Sequence, residues 1–173
     1  VAVILAFGSV SGAHLNPAVT LVNRAAGEID NRRAALYIGA QIVGAGFGAV
    51  LANIMFGLPA IDLSTHTRSG GRLWLAEVVA TLGLLLVIAG CVRGGRPHAV
   101  PAAVAGWIGA AYWCTSSTSF ANPAVTIARS LSDTFAGIAP SSVPMFIVAQ
   151  LVGGVVALGL IRILYPHPIE ESA

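Results

Sequence analysis

The chain has 173 residues, of which 56% are hydrophobic and only 9% are charged. Water-soluble domains carry about 25% charged residues, so a soluble surface is excluded and a membrane protein is predicted. The net charge of +2 arises from dispersed arginines, which excludes a nucleic-acid-binding surface. The four histidines are scattered, and none has a His or Cys three or four residues further on. No metal or cofactor is therefore predicted.

Apolar runs in chain order give the predicted helices. A run over residues 1–10 has neither the basic start nor the cleavage site of a signal peptide. It is interpreted as the second half of a spanning helix whose start is missing. A spanning helix needs about 20 apolar residues, and runs near that length cover 34–56, 73–92, 99–114 and 143–164. The predicted fold class is an all-α membrane protein with five spanning helices, the first of them truncated.

The arginines predict the orientation of these spans. If the spans alternate across the bilayer, one side receives Arg24, Arg32, Arg33, Arg93, Arg96 and Arg162. The opposite side receives Arg68, Arg72 and Arg129. Short loops rich in arginine face the cytoplasm, so the first set is predicted to be cytoplasmic. This places the protein in the plasma (inner) membrane with a cytoplasmic tail at 167–173.

A repeated pentapeptide divides the chain into two halves. Asn-Pro-Ala-Val-Thr occurs at residues 16–20 and 122–126, and each copy is followed by Ala-Gln-x-Val-Gly, around Gln41 and Gln150. Two matched motifs in the same order, at nearly the same separation, indicate a duplication. Three full spans lie between the two pentapeptides, so the repeats have opposite orientations in the membrane, an arrangement whose site lies at the midplane.

The two repeats are unequal in length within one predicted channel domain over 1–173. The first repeat, 1–56, is incomplete, and the second, 73–166, has a full set of elements. The missing piece is one whole helix and the start of the next. The sequence is thus interpreted as a fragment of a protein with six spanning helices.

Each Asn-Pro pair predicts the start of a short helix inside the membrane. Asparagine is a strong N-cap, and proline is favoured at the first helical position. A helix from Pro17 to Arg24 would be about 12 Å long, less than half of the roughly 30 Å hydrocarbon core. Such re-entrant half-helices begin at Pro17-Ala18 and Pro123-Ala124. Two facing N-termini repel cations, while the amides of Asn16 and Asn122 can donate to the oxygen of a neutral solute.

These motifs resemble those of a known family. The stretch Ser-Gly-Ala-His-Leu-Asn-Pro-Ala-Val-Thr over residues 11–20, together with the second Asn-Pro-Ala, is similar to the signatures of the aquaporin and aquaglyceroporin (major intrinsic protein) family. The resemblance implies an inverted repeat of six spanning helices and two half-helices, a pore in each subunit, and a homotetramer in the lipid bilayer. It also implies that Asn16 and Asn122 are the midplane donors.

The resemblance points to a second constriction with one departure from the family pattern. The family usually has an arginine directly after the second Asn-Pro-Ala, where this chain has Val125. Arg129 lies one turn further along the same face, so it either reaches back into the constriction or pairs on the surface with Asp133. By spacing, Ser119 and Ala110 line the filter as well, and the fourth position precedes residue 1.

Small side chains at this filter predict a wide pore. Glycerol-like neutral solutes are then expected. The run Asn-Pro-Ala-Val-Thr-Ile-Ala-Arg also resembles bacterial members associated with arsenic detoxification, which makes arsenous acid a candidate solute.

Four polar residues are predicted to support the half-helices. Glu77 is the only acid inside a spanning run, and an intramembrane charge is usually functional. It is predicted to accept backbone N–H groups of the irregular segment before Asn122, a role that the resemblance supports. Gln41 and Gln150 are predicted to support the two sides similarly. His14 either lines the cytoplasmic vestibule or is a satisfied loop histidine.

The favoured function is a passive channel for water and small neutral solutes that excludes ions and protons. A secondary transporter is the main alternative, but it would need a coupling-ion site, and Glu77 alone is weak support for one. An intramembrane enzyme would need a Ser/His, paired-Asp or metal constellation in the spans, and the sequence shows none. A non-conducting fragment is a further alternative.

Overall fold

The computed structural model describes residues 1–166, so the tail predicted at 167–173 lies outside the described residues. This part of the chain forms seven α-helices, and short 3-10 turns cover 97–99, 129–131 and 140–142. The helices are α1 (Ala2–Ser11), α2 (Pro17–Ala25), α3 (Asn31–Met55), α4 (Gly71–Arg93), α5 (Val100–Cys114), α6 (Pro123–Ala128) and α7 (Val143–Leu164).

The predicted all-α membrane fold is confirmed. Helices α3 and α4 are long and apolar enough to cross a bilayer, with mean hydropathies of 1.7 and 2.4, and so is the segment Pro140–Leu164, which contains α7, with 2.2. Helix α5 has 15 residues and α1 has 10. Each predicted apolar run coincides with one helix to within three residues. The short helices α2 and α6 begin at the prolines of the two Asn-Pro pairs.

The backbone before each half-helix follows one pattern in both halves. The residues three and one before Asn16, Ala13 and Leu15, have φ angles of 44° and 50°. The residues at the same distances before Asn122, Ser119 and Ala121, have 45° and 48°. Left-handed backbone is uncommon for residues other than glycine. Its recurrence at matched positions shows that the two motifs fold the same irregular backbone.

Each half-helix packs against helices that lie beyond its own motif. Val19 and Val22 of α2 belong to a buried cluster with Leu84 and Leu85 of α4, and α2 also contacts α3 and α7. Conversely, α6 packs between α3 and α7. The position of each half-helix N-terminus is therefore set by both halves of the chain.

Helices α4 and α7 are in close contact at Gly153. A Cβ atom there would lie 2.6 Å from the carbonyl oxygen of Val78 and 3.1 Å from Cβ of Thr81. Small residues permit such close packing of membrane helices. The close approach brings Gln150, almost one turn before Gly153, within hydrogen-bonding distance of Glu77 on α4.

Candidate functional site

The N-termini of α2 and α6 meet through a reciprocal pair of hydrogen bonds. Asn16 Nδ2 donates to the carbonyl oxygen of Ala121 at 2.7 Å, and Asn122 Nδ2 donates to that of Leu15 at 2.9 Å. Each asparagine thus binds the residue just before the other asparagine. We call these two bonds the asparagine clasp. It fixes the two half-helices end to end.

The remaining groups of each asparagine amide are oriented by capping. Oδ1 of Asn16 accepts from the N–H of Ala18 at 2.9 Å. Oδ1 of Asn122 accepts from the N–H groups of Ala124 and Val125, at 3.0 and 3.3 Å. A carboxamide nitrogen carries two N–H donors, and the clasp uses one. Within residues 1–166, the second N–H of each amide has no acceptor, so it is available to a ligand.

The threonine of each pentapeptide connects its half-helix to the following span. Thr20 Oγ1 donates to the Asn16 carbonyl oxygen and accepts from Nε2 of Gln41 at 3.0 Å. Thr126 Oγ1 donates to the Asn122 carbonyl oxygen and accepts from Nε2 of Gln150 at 2.8 Å. Sequence reasoning identified the glutamines but missed the threonines. The sequence signal that could have identified them is the threonine repeated at the fifth position of both pentapeptides.

Glu77 of α4 is fully buried beneath the segment that precedes the second motif. Its Oε1 accepts from Ser117 Oγ at 2.6 Å and from the N–H of Phe120 at 2.9 Å. Its Oε2 accepts from the N–H of Ala121 at 2.9 Å and from Gln150 Nε2 at 2.6 Å. Four donors therefore surround one carboxylate. They hold the left-handed backbone whose Ala121 carbonyl forms one side of the clasp.

A cavity of about 730 Å³ runs along the clasp and is lined by both asparagines. Its wall is mainly apolar and includes Leu84 and Ile88 of α4 and Val104 of α5. Such a wall offers a passing solute few hydrogen bonds away from the clasp.

One end of the cavity is bordered by Ser119, Val125 and Arg129, three of the predicted filter residues. The Ser119 hydroxyl is buried and has no partner among the described residues, and the same holds for Nη1 of Arg129. The guanidinium carbon of Arg129 lies 4.2 Å from the centre of the Phe120 ring. A cation over an aromatic face is attracted by the ring quadrupole.

The remaining predicted filter residue is Ala110, and the structure does not place it at the cavity. It is exposed and is not among the residues lining this cavity, whereas Ile108 and Tyr112 of α5 are. Two residues along a helix correspond to a rotation of about 200°, so Ala110 faces away from the side that carries Ile108 and Tyr112. Ile108 and Tyr112 therefore take the place of Ala110 beside the cavity, on the same side of α5 as Val104.

Asp133, the alternative partner of Arg129, is engaged elsewhere. Its carboxylate accepts from the Thr65 N–H at 2.8 Å and from the Thr65 and Ser64 hydroxyls. The backbone hydrogen bond from Thr65 holds the pKa of Asp133 below its ordinary value. Within residues 1–166, no ion pair joins Arg129 to Asp133, and Arg129 instead borders the cavity.

His14 and Asn23 line the other end of the cavity. Asn23 Nδ2 lies 3.0 Å from His14 Nε2, and His14 Nδ1 lies 3.2 Å from Thr20 Oγ1. An amide nitrogen only donates, so Nε2 is the acceptor and the neutral ring carries its proton on Nδ1. The Thr20 hydroxyl proton is directed at Asn16, which is consistent with Nδ1–H donating to Thr20. Both readings of His14 are compatible with this position, since the ring borders the cavity and is also hydrogen-bonded.

Comparisons with known proteins identify the family. The family model described as "Major intrinsic protein" matches residues 1–108 and 71–173. The chain is 48% identical to the aquaglyceroporin AqpS of Rhizobium meliloti, over 94% of this chain and 69% of that protein. It is 33% identical to aquaporin Z of Rhodopseudomonas palustris, over 94% and 74%. It is likewise 33% identical to aquaporin AqpM of Methanothermobacter marburgensis, over 89% and 68%.

The chain therefore belongs to the major intrinsic protein family. It is a multi-pass membrane protein and a channel for water and small solutes, not an enzyme.

Proposed function

We propose that this channel conducts small neutral solutes passively, through the cavity beside the asparagine clasp. The observation that carries the proposal is the clasp itself. The clasp aligns Asn16 and Asn122 and leaves one N–H on each amide for the oxygen of a solute. The opposed N-termini of α2 and α6 add partial positive charges of roughly half an elementary charge each. Cations and hydrated protons are thus repelled where a neutral hydroxyl is bound.

A coupled transporter is less well supported by the same residues. Glu77 is the carboxylate that a coupling ion would need, but its two oxygens accept four protein donors and are fully buried. An acidic group saturated in this way supports backbone geometry. It has no free lone pair directed at the cavity.

The residues at the cavity end near Val125 support a proposal for the solute class. Valine offers no donor and less bulk than arginine, and Ser119 is a second small residue at this end of the cavity. We propose a pore wide enough for glycerol-sized neutral solutes, with Arg129 contributing one donor beside the Phe120 ring. The similar protein from Rhizobium meliloti is named an aquaglyceroporin. Arsenous acid is a further candidate because it is neutral and carries hydroxyl groups.

The assembly and orientation are also proposals. Two-thirds of the arginines lie at one face if the spans alternate, and we assign that face to the cytoplasm of the plasma membrane. A homotetramer follows the family arrangement, with apolar residues of α3 such as Phe47 and Leu51 exposed to lipid or neighbouring subunits.

Liposomes holding the protein are expected to shrink faster than empty liposomes under an osmotic step. Water leaves through the cavity beside the clasp, whereas protons are repelled by the half-helix N-termini, so internal pH should stay constant under an imposed potential. Light scattering by stopped flow measures the first effect and an enclosed pH dye the second. Parallel steps with glycerol, urea and arsenous acid rank the solutes. Uphill solute uptake driven by a proton gradient would contradict the channel proposal and favour a coupled transporter.

Replacing Arg129 with alanine is expected to raise the glycerol-to-water permeability ratio. The change removes a large side chain and a positive charge from the cavity end near Val125. An Arg→Ala change at Arg72 is the control, because that side chain is exposed on α4 and lies outside the cavity lining. The ratio is measured by stopped flow on both variants. An Arg129→Ala protein with the ratio of the unmodified protein would place this arginine outside the filter.

A further inference from the structure

Arg68 connects three separate segments near the Arg129 end of the cavity. It lies in the connection between α3 and α4. Its Nε donates to the Gly137 carbonyl oxygen at 2.7 Å, Nη2 donates to that of Phe135 at 3.0 Å, and Nη1 donates to that of Ser117 at 3.4 Å. Three of the five N–H donors of a guanidinium are thus directed at backbone oxygens. The side chain bridges the segment before the second motif and the segment after α6.

The connection that carries Arg68 is itself fixed to the end of α6. Ser64 N–H donates to the Ser130 carbonyl oxygen at 3.0 Å, and the N–H of Ala139 donates to the His66 carbonyl oxygen at 2.7 Å. The N–H of Arg68 donates to Ser142 Oγ at 3.1 Å. The guanidinium therefore projects from an anchored backbone.

Arg68 and Arg129 share one aromatic ring. The guanidinium carbon of Arg68 lies 5.1 Å from the centre of the Phe120 ring, and that of Arg129 lies 4.2 Å from it. Phe120 is buried and packs edge-on against Phe146, with ring centres 5.4 Å apart. Arg129 and Phe120 border the cavity, but Arg68 is not among its lining residues.

The two arginines differ in how firmly they are held. Arg68 has the three carbonyl partners described above. Within residues 1–166, the guanidinium of Arg129 has neither a hydrogen bond nor an ion pair, and it stacks on the Phe120 ring. Two like charges at one ring repel. Because three carbonyl oxygens hold Arg68, the repulsion acts on the position of Arg129.

We propose that Arg68 is a positioning residue of the filter. It fixes the Phe120 ring and occupies the site nearest the backbone carbonyls, and thereby directs the Arg129 guanidinium toward the cavity. In this chain the arrangement supplies the positive charge that the family pattern places at the position of Val125. The proposal rests on the filter role proposed for Arg129 and extends it to a residue in another segment of the chain.

An Arg68→Gln variant tests the proposal. It is expected to shift the glycerol-to-water permeability ratio in the direction of Arg129→Ala by about threefold, since loss of a cation–π contact of this size corresponds to a few-fold change. Arg72→Gln is the matched control, because it removes an exposed arginine of the neighbouring segment. Arg68→Lys keeps the charge but loses the planar fork, and we expect a smaller shift in the same direction. Size-exclusion chromatography selects the folded protein for each measurement.

A double variant separates the inference from the proposed function. In an Arg129→Ala background, Arg68→Gln is expected to leave the ratio unchanged, because the residue that it positions is gone. If Arg129→Ala alone does not move the ratio, the filter role fails and the inference fails with it. If Arg129→Ala moves the ratio while Arg68→Gln and Arg68→Lys do not, only the inference is overturned. An additive effect of the two substitutions overturns it as well.

Discussion

Replacing Glu77 with alanine is expected to lower the free energy of unfolding by about 4 kcal/mol or more. The substitution leaves two backbone N–H groups, the Ser117 hydroxyl and the Gln150 amide without their acceptor in a buried site. A buried donor without a partner costs about 1–3 kcal/mol. The loss should appear as a lower midpoint when the detergent-solubilised protein is unfolded by heat or by a denaturing detergent.

Two variants control for this prediction. Glu77→Gln preserves the shape and one acceptor oxygen but directs an NH2 group at groups that are themselves donors, so we expect a smaller loss. Glu28→Ala removes an exposed acid that lies 3.8 Å from Arg93, and exposed pairs contribute only about 0–1 kcal/mol. Equal midpoints for Glu77→Ala and Glu28→Ala would show that the buried carboxylate does not support the fold.

The loss of Glu77 should also reduce conduction before the protein unfolds. Ser119 and Ala121 hold left-handed backbone, and such residues cost of order 1–3 kcal/mol each unless their surroundings enforce them. The Ala121 N–H donates to Glu77, while its carbonyl accepts from Asn16. Relaxation of this strain would therefore move one side of the asparagine clasp directly.

Local signals made most of the fold predictable from the sequence. Hydrophobic run length determined the spanning helices, and the Asn-Pro pairs located the first turns of α2 and α6, because capping depends on adjacent residues. The support of the half-helices by Gln41, Gln150 and Glu77 was also anticipated as a hypothesis. The pairing of Asn16 with Asn122 was predicted from the inverted repeat, and the resemblance supported it.

The filter was less predictable because its residues come from segments that meet only in three dimensions. Spacing placed Ala110 at the filter, but an irregular segment with left-handed residues separates α5 from the second motif. Counting residues across such a segment does not preserve helical register, and Ile108 and Tyr112 line the cavity instead. The contacts of Arg68 depend on hydrogen bonds between the α3–α4 connection and the segment after α6. No hydrophobic periodicity in the sequence predicts that two loops will pair.

Replacing Asn16 with aspartate is expected to abolish selective conduction. The Nδ2 donor becomes a carboxylate oxygen facing the Ala121 carbonyl oxygen, an approach that measures 2.7 Å in the native pair. Two acceptors repel there, so the clasp loses one of its two bonds. The new negative charge also offsets the partial positive charges of the two half-helix N-termini, each roughly half an elementary charge. Neutral solute flux should therefore fall while proton and cation leakage rises.

The symmetry of the clasp makes this prediction specific. Asn122→Asp should produce the same pair of changes, because its Nδ2 donates to the Leu15 carbonyl in the reciprocal bond. Asn31→Asp adds the same charge at an exposed helix start outside the cavity and should leave both fluxes unchanged. Stopped-flow scattering and an enclosed pH dye under a potassium diffusion potential report the two fluxes. If Asn16→Asp liposomes remain proton-tight and as permeable as the native ones, ion exclusion does not depend on the meeting point of the half-helices. The barrier would then lie at Arg129.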